Sequence, residues 1–308
     1  MVRPLSRPRT SVPLPRNENP LVIAHRGASY AVAEHTLPAY LAAIETGADG
    51  LECDVRLTRD GHLVCVHDRT VNRTSNGTGI VSELDLSGLR QLDFLSWHDD
   101  LPRTTGELLT DSPYLSGVAP DRLDVNRSTV LTLETLLAVV ADAGRPLKLL
   151  IETKHPTRYG GLVEKELVRL LKRFGWAGDL DGGPPAHHAD AEAHAAAHPV
   201  TIMSFAPVAL RRIRLLAPSI PLALLMRRWT SVRRDGSLPT GVSIGGPGVR
   251  LLRSDPDYVE LAHAAGNRVY CWTVDQSADV ELVRSLGIDA IITNRPAMVA
   301  GELRATRP

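Results

Sequence analysis

Carboxylates interrupt two apolar segments of the sequence close to the point where each segment ends. Glu52 and Asp54 lie one residue apart in an otherwise apolar run, and a second run ends on Glu152, with Lys154 just beyond it. Three carboxylates offer the oxygen ligands that a hard cation such as Mg²⁺ or Ca²⁺ prefers. Because an ammonium group attracts phosphate, these residue types predict one divalent-cation site that also binds a phosphate group.

Two histidines stand at comparable positions, and their chemistry extends that prediction. His25 and Arg26 follow the first apolar run, and His67 follows another. Imidazoles titrate near neutral pH and suit a general acid and a general base, while a guanidinium suits phosphate. We expect His67 to be the acid, because Asp54 and Asp68 would favour its protonated form, and His25 to be the base. With a metal, this set predicts cleavage of a phosphoester.

A turn signal between two apolar runs is expected to bring His67 towards the carboxylates. Asp60-Gly61 is typical of a two-residue hairpin turn. Such a turn sets Asp54 opposite His67, and Glu52 joins them because side chains alternate along a strand.

Short apolar runs that alternate with helical patterns must position these residues. The predicted strands are 21–24, 50–57, 63–66, 148–153, 201–204, 222–225, 241–244, 268–273 and 290–292, and the predicted helices are near 37–46, 131–143, 161–174, 207–216, 256–265 and 277–286. Apolar strands spaced by helices indicate a parallel α/β fold. Nine strands for eight places predict a (β/α)₈ TIM barrel with one extra strand, whose active face lies at the C-terminal strand ends. A doubly wound sheet is the alternative, although no Gly-rich dinucleotide loop follows the first strand.

The pattern also predicts how the chain is divided. Residues 1–20 are rich in arginine and proline without an apolar signal core, and we expect a disordered leader there. Residues 21–308 form the barrel domain, with an insertion at about 68–130 after the third strand. Residues 176–199 are expected to form a surface loop and a short helix, where His194 and His198 are interpreted as surface histidines.

Composition limits the partners of the chain. The 35 lysines and arginines balance 35 aspartates and glutamates, so nothing in the overall charge argues for a nucleic-acid partner, and we expect none. No apolar run approaches the roughly 18 residues of a membrane span. The three cysteines are odd in number, and the predicted hairpin turns Cys53 and Cys65 to opposite faces, so we expect free thiols and a cytoplasmic location. The sequence leaves the oligomeric state open.

Several spaced motifs, in order, resemble the glycerophosphodiester phosphodiesterase family over residues 21–296. They include AHRGAS, the run from EHTLPAY to CVHD, RTSNGTG, LTLETLL, IETK, SF, CWTVD and IITNRP. The resemblance implies a (β/α)₈ barrel and metal-dependent hydrolysis of glycerophosphodiesters to sn-glycerol 3-phosphate and an alcohol. It implies these roles: Glu52, Asp54 and Glu152 as metal ligands, His25 and His67 as the acid–base pair, Arg26 and Lys154 as phosphate ligands, and Trp272 as a pocket residue.

Two positions depart from the family pattern. His35 stands where the family usually has Asn, and Asn294 stands where Asp is commoner. We expect the first change to affect the loop that enters the first helix and a substrate contact, and to leave the carboxylates unaffected. Trp272 lies near a strand end, which favours a pocket wall over a core position.

Two other functions remain open from the sequence. One is a phospholipase D-type cleavage of lysophospholipids or sphingolipids on the same barrel, which would need an apolar mouth. Aromatic and leucine side chains of the insertion keep it open: Phe94, Leu95, Trp97, Tyr114 and Leu115. The other is a phosphodiester-binding protein without catalysis, against which the two histidines argue.

Overall fold

The computed structural model describes residues 14–97, 128–158, 160–177, 198–229 and 234–305, and within these ranges nine strands form one sheet. The strands are β1 Leu21–His25, β2 Gly50–Leu57, β3 Leu63–Cys65, β4 Lys148–Thr153, β5 Val200–Ser204, β6 Leu222–Met226, β7 Ile244–Pro247, β8 Arg268–Cys271 and β9 Ala290–Thr293. Eight are parallel in the order β1-β9-β8-β7-β6-β5-β4-β2, and pairing of β1 with β2 closes the barrel. β3 is the extra strand, antiparallel to β2. The predicted TIM barrel is confirmed, although the strand expected at 241–244 begins only at Ile244.

Helices connect the strands and cover the outside of the barrel. They are α1 Leu37–Glu45, α2 Leu86–Leu89, α3 Leu133–Ala141, α4 Leu162–Arg173, α5 Pro207–Leu216, α6 Val249–Ser254, α7 Tyr258–Ala264, α8 Ser277–Leu286 and α9 Pro296–Ala305. Thr36 and Thr132 start α1 and α3, since each threonine hydroxyl accepts a backbone N–H of the first turn. The sequence patterns predicted six of these helices and missed α2, α6 and α9.

Two apolar layers hold the barrel together because side chains alternate along each strand. Inward residues such as Ile23, Leu150 and Tyr270 fill the barrel, while outward residues such as Leu51 and Ile202 pack beneath the helices. Both faces of the strands are therefore buried, which explains their continuous apolar runs.

The hairpin between β2 and β3 has a different register from the predicted one. Gly61 N donates to Thr58 O and Thr58 N donates to His62 O, so the loop has three residues, with Gly61 at φ +87°. Val66 N donates to Asp54 O, and Val66 rather than His67 therefore lies opposite Asp54. The prediction was wrong by one residue because the loop type sets the register.

The corrected register also changes the two cysteines of the hairpin. Cys65 lies opposite Val55, which places it on the same face of the sheet as Cys53. Both are buried in the outer core layer as free thiols, so the predicted opposite faces are wrong.

The described parts of the insertion form a small second core together with one face of β3. Its cluster contains Val64, Val66, Val71, Val81, Leu86, Leu89, Phe94 and Val130. Phe94 is buried there, whereas Tyr114 and Leu115 lie outside the described residues.

The start of the described chain already contacts the barrel. Leu14 N donates to His263 O and Asn17 N to Gly287 O, which ties this part of the expected leader to the C-terminal ends of α7 and α8. Residues 1–13 and His194 lie outside the described ranges. Within those ranges, no helix combines the length and apolar character needed to cross a bilayer.

Candidate active site

Strand pairing places the acidic residues side by side at the C-terminal end of the barrel. His25 on β1 pairs with Glu52 on β2, and Asp54 pairs with Glu152 on β4. Glu52, Asp54 and Glu152 point into the barrel, since Leu51 and Cys53 between them belong to the outer layer. The structure thus brings the three predicted carboxylates together.

The three carboxylates form a compact, buried cluster. One oxygen of each lies within 4.8 Å of the others, and their exposed fractions are 1%, 0% and 7% for Glu52, Asp54 and Glu152. Among the described residues, this is the group of side chains with the geometry of a metal site. Asp54 Oδ1 accepts no hydrogen bond from the described residues although it is fully buried. An all-oxygen set, in which one buried carboxylate oxygen is paired with Lys154 but accepts no hydrogen bond, fits a hard divalent cation.

Arg26 and Lys154 compensate part of the negative charge. Lys154 Nζ lies 2.8 Å from Glu152 Oε1 and 3.2 Å from Asp54 Oδ1. Arg26 Nε lies 3.0 Å from Asp54 Oδ2, and its backbone N–H donates to Glu52 Oε2. Both predicted phosphate ligands therefore border the carboxylate cluster.

The turn after β1 depends on an unusual backbone. Arg26 has φ +59°, and Gly27 follows with φ +84°. A Cβ atom on Gly27 would lie 2.6 Å from the Ala39 carbonyl carbon, so only glycine allows β1 to end this close to α1.

Burial and mutual repulsion shift the carboxylate pKa values apart. Burial, with the charge of Asp54, raises the pKa of Glu52 well above its ordinary value and that of Glu152 to about 7. Burial alone would also raise the pKa of Asp54, but the His35 hydrogen bond and the charges of Lys154 and Arg26 hold it well below the usual range. Two protein cations do not balance three close carboxylates, and a bound cation would favour ionisation of Glu52 and Glu152.

His25 is held in one tautomer by a chain of hydrogen bonds. Asn294 Nδ2 donates to Asp275 Oδ2 at 2.6 Å, which leaves Asn294 Oδ1 as an acceptor 2.7 Å from His25 Nδ1. Nδ1 therefore carries the proton, and Nε2 carries the lone pair at 3.9 Å from Glu52 Oε2. Burial and the Arg26 charge lower the pKa of His25 to about 3, so the ring is neutral.

His67 lies at the same end of the barrel and is more accessible. Its Nδ1 lies 2.6 Å from Asp68 Oδ1, and Arg56 Nη2 donates to its carbonyl oxygen at 2.7 Å. The expected rise of its pKa is wrong: burial lowers the pKa of His67, and Arg26 and Lys154 reinforce that effect against Asp54 and Asp68.

His35 reaches the carboxylate cluster, which the sequence did not indicate. Its Nε2 lies 2.9 Å from Asp54 Oδ2, and its Nδ1 lies 2.8 Å from the Tyr40 hydroxyl. Tyr40 in turn donates to the carbonyl oxygen of Glu52. The change from the family Asn therefore touches a predicted metal ligand. The expectation that this change leaves the carboxylates unaffected is therefore wrong.

A network of ion pairs joins Arg26 to Asp68, the partner of His67, and sequence reasoning missed it. Arg26 Nη1 lies 3.0 Å from Glu34 Oε1, and Arg73 Nη2 lies 2.7 Å from that same oxygen. Arg73 Nε also donates to Asp68 at 2.7 Å. The RTSNGTG motif contains Arg73 and was the available signal.

Trp272 lies across the barrel mouth with two further side chains. Its indole donates to Gly246 O, and its ring meets Phe205 edge to face with centroids 5.3 Å apart. The Arg227 guanidinium lies 4.5 Å from the Phe205 ring centre. These residues follow β8, β5 and β6, and β6 lies opposite β1 in the closed barrel. Trp272 therefore lies in an aromatic cluster at the C-terminal strand ends, and sequence reasoning missed Phe205 and Arg227 as its partners.

Comparisons with known proteins agree with this arrangement. Residues 25–298 match the model of the "Glycerophosphoryl diester phosphodiesterase family". The chain is 42% identical over 278 residues to a "Probable glycerophosphodiester phosphodiesterase 1" of Mycobacterium tuberculosis, covering 90% of each chain. A phosphodiesterase of Oleispira antarctica, solved in complex with the product sn-glycerol-3-phosphate, shares the fold with a TM-score of 0.67 at 22% identity, covering 93% of this chain and 97% of that one. A putative glycerophosphoryl diester phosphodiesterase from Silicibacter pomeroyi has a TM-score of 0.69 at 23% identity, with 94% and 95% covered. The chain is thus an enzyme that belongs to the glycerophosphoryl diester phosphodiesterase family of hydrolases.

Proposed function

We propose that the chain hydrolyses glycerophosphodiesters to sn-glycerol 3-phosphate and an alcohol, using one divalent cation, Mg²⁺ or Ca²⁺, and two histidines. The observation that carries the proposal is the place of His25 Nε2, a free lone pair 3.9 Å from the carboxylate Glu52 and fixed from behind by Asn294. A base in that position serves a substrate hydroxyl held at the carboxylate cluster.

Glu52, Asp54 and Glu152 would hold the cation, since their oxygens lie together and are buried. When bound, a divalent cation would neutralise charge on a phosphoryl oxygen and so ease attack on phosphorus. Arg26 and Lys154 border the same cluster and would bind the remaining phosphate oxygens.

The protein residues account for each proton that moves. The hydroxyl next to the ester forms a bond to phosphorus while His25 Nε2 takes its proton. The bond from phosphorus to the alcohol oxygen breaks, and His67 Nε2 gives its proton to that oxygen. Water then attacks phosphorus, and His67 Nε2 takes its proton. The bond from phosphorus to the oxygen that attacked first breaks, and His25 Nε2 returns a proton to that oxygen, which yields sn-glycerol 3-phosphate.

His67 must carry a proton to act first as the acid. Although burial lowers the pKa of His67, the approach of an anionic phosphodiester favours its charged form. Asp68, 2.6 Å from Nδ1, orients the ring so that Nε2 points away from that carboxylate. Trp272 and Phe205 would line the pocket across from these groups.

The described residues do not favour cleavage of lysophospholipids as a second function. Phe94, one of the side chains expected to line an apolar mouth, is buried in the core of the insertion instead. Three buried free cysteines support a reducing, cytoplasmic location, which cell fractionation would test.

A substrate screen tests the proposed reaction. Glycerophosphocholine, glycerophosphoethanolamine, glycerophosphoglycerol and lysophosphatidylcholine are each incubated with Mg²⁺ or Ca²⁺. We expect released sn-glycerol 3-phosphate from the water-soluble diesters. Release of lysophosphatidate from lysophosphatidylcholine alone would contradict the proposal, as would full activity in excess chelator.

A further inference from the structure

A cavity of about 720 Å³ opens beside the carboxylate cluster, between the insertion and the loop after β4. Lys154 lines one end, and its ammonium group is the one that pairs with Asp54 and Glu152. Arg56 lines it as well, and its guanidinium donates to the carbonyl oxygen of His67. The cavity therefore reaches the proposed phosphate site at Lys154, and Arg56 connects its lining to the backbone of the proposed acid. Its size suits a small-molecule substituent.

Basic side chains dominate the lining of this cavity. Arg56, Arg69, Lys154 and Arg158 contribute four cations, whereas Glu83 contributes one carboxylate, which lies 3.4 Å from Arg158. The remaining charge is not balanced within the lining.

Arg56 and Arg69 supply most of that unbalanced charge. Arg56 uses Nε and Nη2, at 3.1 and 2.7 Å, on a neutral carbonyl oxygen. Arg69 lines the same cavity and is exposed. Two guanidinium groups that line one cavity offer several hydrogen-bond donors to an anion.

We propose that this cavity is the subsite for the leaving alcohol and that Arg56 and Arg69 select alcohols that carry an additional anionic group, such as a second phosphate. The inference rests on the proposed function, because His67 as the acid places the leaving oxygen on the side of β2 and the insertion. An alcohol whose ester lies at Lys154 can extend into the cavity that Arg56 and Arg69 line. A quaternary ammonium group would instead meet like charge there.

Two substrates that differ by one phosphate test the proposal. The ratio of kcat/KM for glycerophosphoinositol 4-phosphate to that for glycerophosphoinositol is measured in the full-length protein, in Arg69→Gln and in Arg69→Lys. Arg69 is exposed, so its replacement is compatible with folding, and thermal melting verifies it. We expect Arg69→Gln to lower the ratio roughly threefold to tenfold, and Arg69→Lys to retain most of it.

Arg228→Gln is the matched control, since Arg228 is also an exposed arginine at the end of a barrel strand but does not line the cavity. If Arg69→Gln leaves the ratio of the two kcat/KM values unchanged, the cavity is not an anion subsite. If Arg228→Gln lowers the ratio by as much as Arg69→Gln does, the preference comes from the overall positive charge of the protein, and the subsite is also ruled out. Arg69→Glu should in addition raise kcat/KM for glycerophosphocholine relative to glycerophosphoinositol.

Binding separates failure of this inference from failure of the proposed function. If no diester is hydrolysed, the proposed function is wrong, and calorimetry with inositol 1,4-bisphosphate then decides on the cavity alone. Weaker binding in Arg69→Gln than in Arg228→Gln supports an anion subsite, and equal binding overturns it.

Discussion

The ring of His25 and the amide of Asn294, which are 269 residues apart, are joined by a hydrogen bond of 2.7 Å between Nδ1 and Oδ1. Asp275 fixes the amide from the other side, and the direction of the bond therefore assigns the proton to Nδ1. The lone pair of Nε2 is thereby aimed at the carboxylate cluster.

Removing the acceptor of that bond should impair the base without unfolding the barrel. We expect Asn294→Ala to lower kcat roughly tenfold to a hundredfold, because the imidazole loses its tautomer and orientation. Asn294→Asp keeps an acceptor at the same place and should retain more activity than Asn294→Ala. Steady-state kinetics with thermal melting measures both; equal losses in the two variants would contradict a positioning role.

The carboxylate cluster predicts a metal requirement. Glu152→Gln removes one of three charged oxygen ligands, and we expect weaker binding of Mg²⁺ or Ca²⁺ in calorimetry and loss of most turnover. Glu166→Gln is the control, since Glu166 lies on the outer helix α4. Unaltered metal affinity in Glu152→Gln would show that the cluster is not the metal site.

Leaving-group chemistry distinguishes the two histidines. Replacing either His25 or His67 by alanine should cost roughly 10²–10⁴ in turnover of a natural diester. A p-nitrophenyl ester that keeps the glycerol hydroxyls needs no acid, so His67→Ala should recover much of its activity on it. Recovery in His25→Ala instead would reverse the roles, and full activity of both variants on the natural diester would refute the mechanism.

Gly61 predicts a stability effect that depends on backbone conformation alone. Its φ is +87°, and nothing lies within 4 Å of an added Cβ, so Gly61→Ala costs conformational energy without a clash. We expect a loss of about 1 kcal/mol in the free energy of unfolding, and a larger loss for the β-branched Gly61→Val. Gly88→Ala, also without a close neighbour but in α2, is the control in urea titrations. Equal stability of both alanine variants would contradict the left-handed turn.

Glu34 predicts a pH-dependent contribution to stability. Although burial opposes it, the hydrogen bonds from Arg73 and the Arg26 charge lower the pKa of Glu34 from 4.5 to about 2. Because the folded pKa is the lower one, the stabilisation is present above pH 4.5 and is lost as the pH falls towards 2. The free-energy difference between wild type and Glu34→Gln should be on the order of 3 kcal/mol near pH 7 and shrink in that interval.

Urea unfolding at a series of pH values measures this difference. Glu281→Gln, at an exposed position on α8, is the control and should give a difference without that pH dependence. A constant difference for Glu34→Gln between pH 2 and 7 would show that the ion pairs with Arg26 and Arg73 do not stabilise the fold.

The sequence by itself determined the alternation of strands and helices and the polar residues at the strand ends. Both follow from local rules: side chains alternate along a strand, and parallel strands between helices bury both faces. Since every C-terminal strand end of a barrel faces the same mouth, Glu52, Asp54, Glu152 and Lys154 were predicted together without knowledge of any long-range contact.

Only the tertiary structure decided which of these groups touch and how they are charged. The loop at Gly61 shifted the hairpin by one residue, because register depends on turn type and not on the apolar pattern. Parallel pairing of β1 with β9 brings Asn294 next to His25. Folding of the insertion brings Arg73 next to Glu34. Burial lowers the pKa of His67, whereas the neighbouring carboxylates alone predicted a raised pKa. Desolvation depends on how all the side chains around the barrel mouth pack, and residues adjacent in the sequence do not determine that packing.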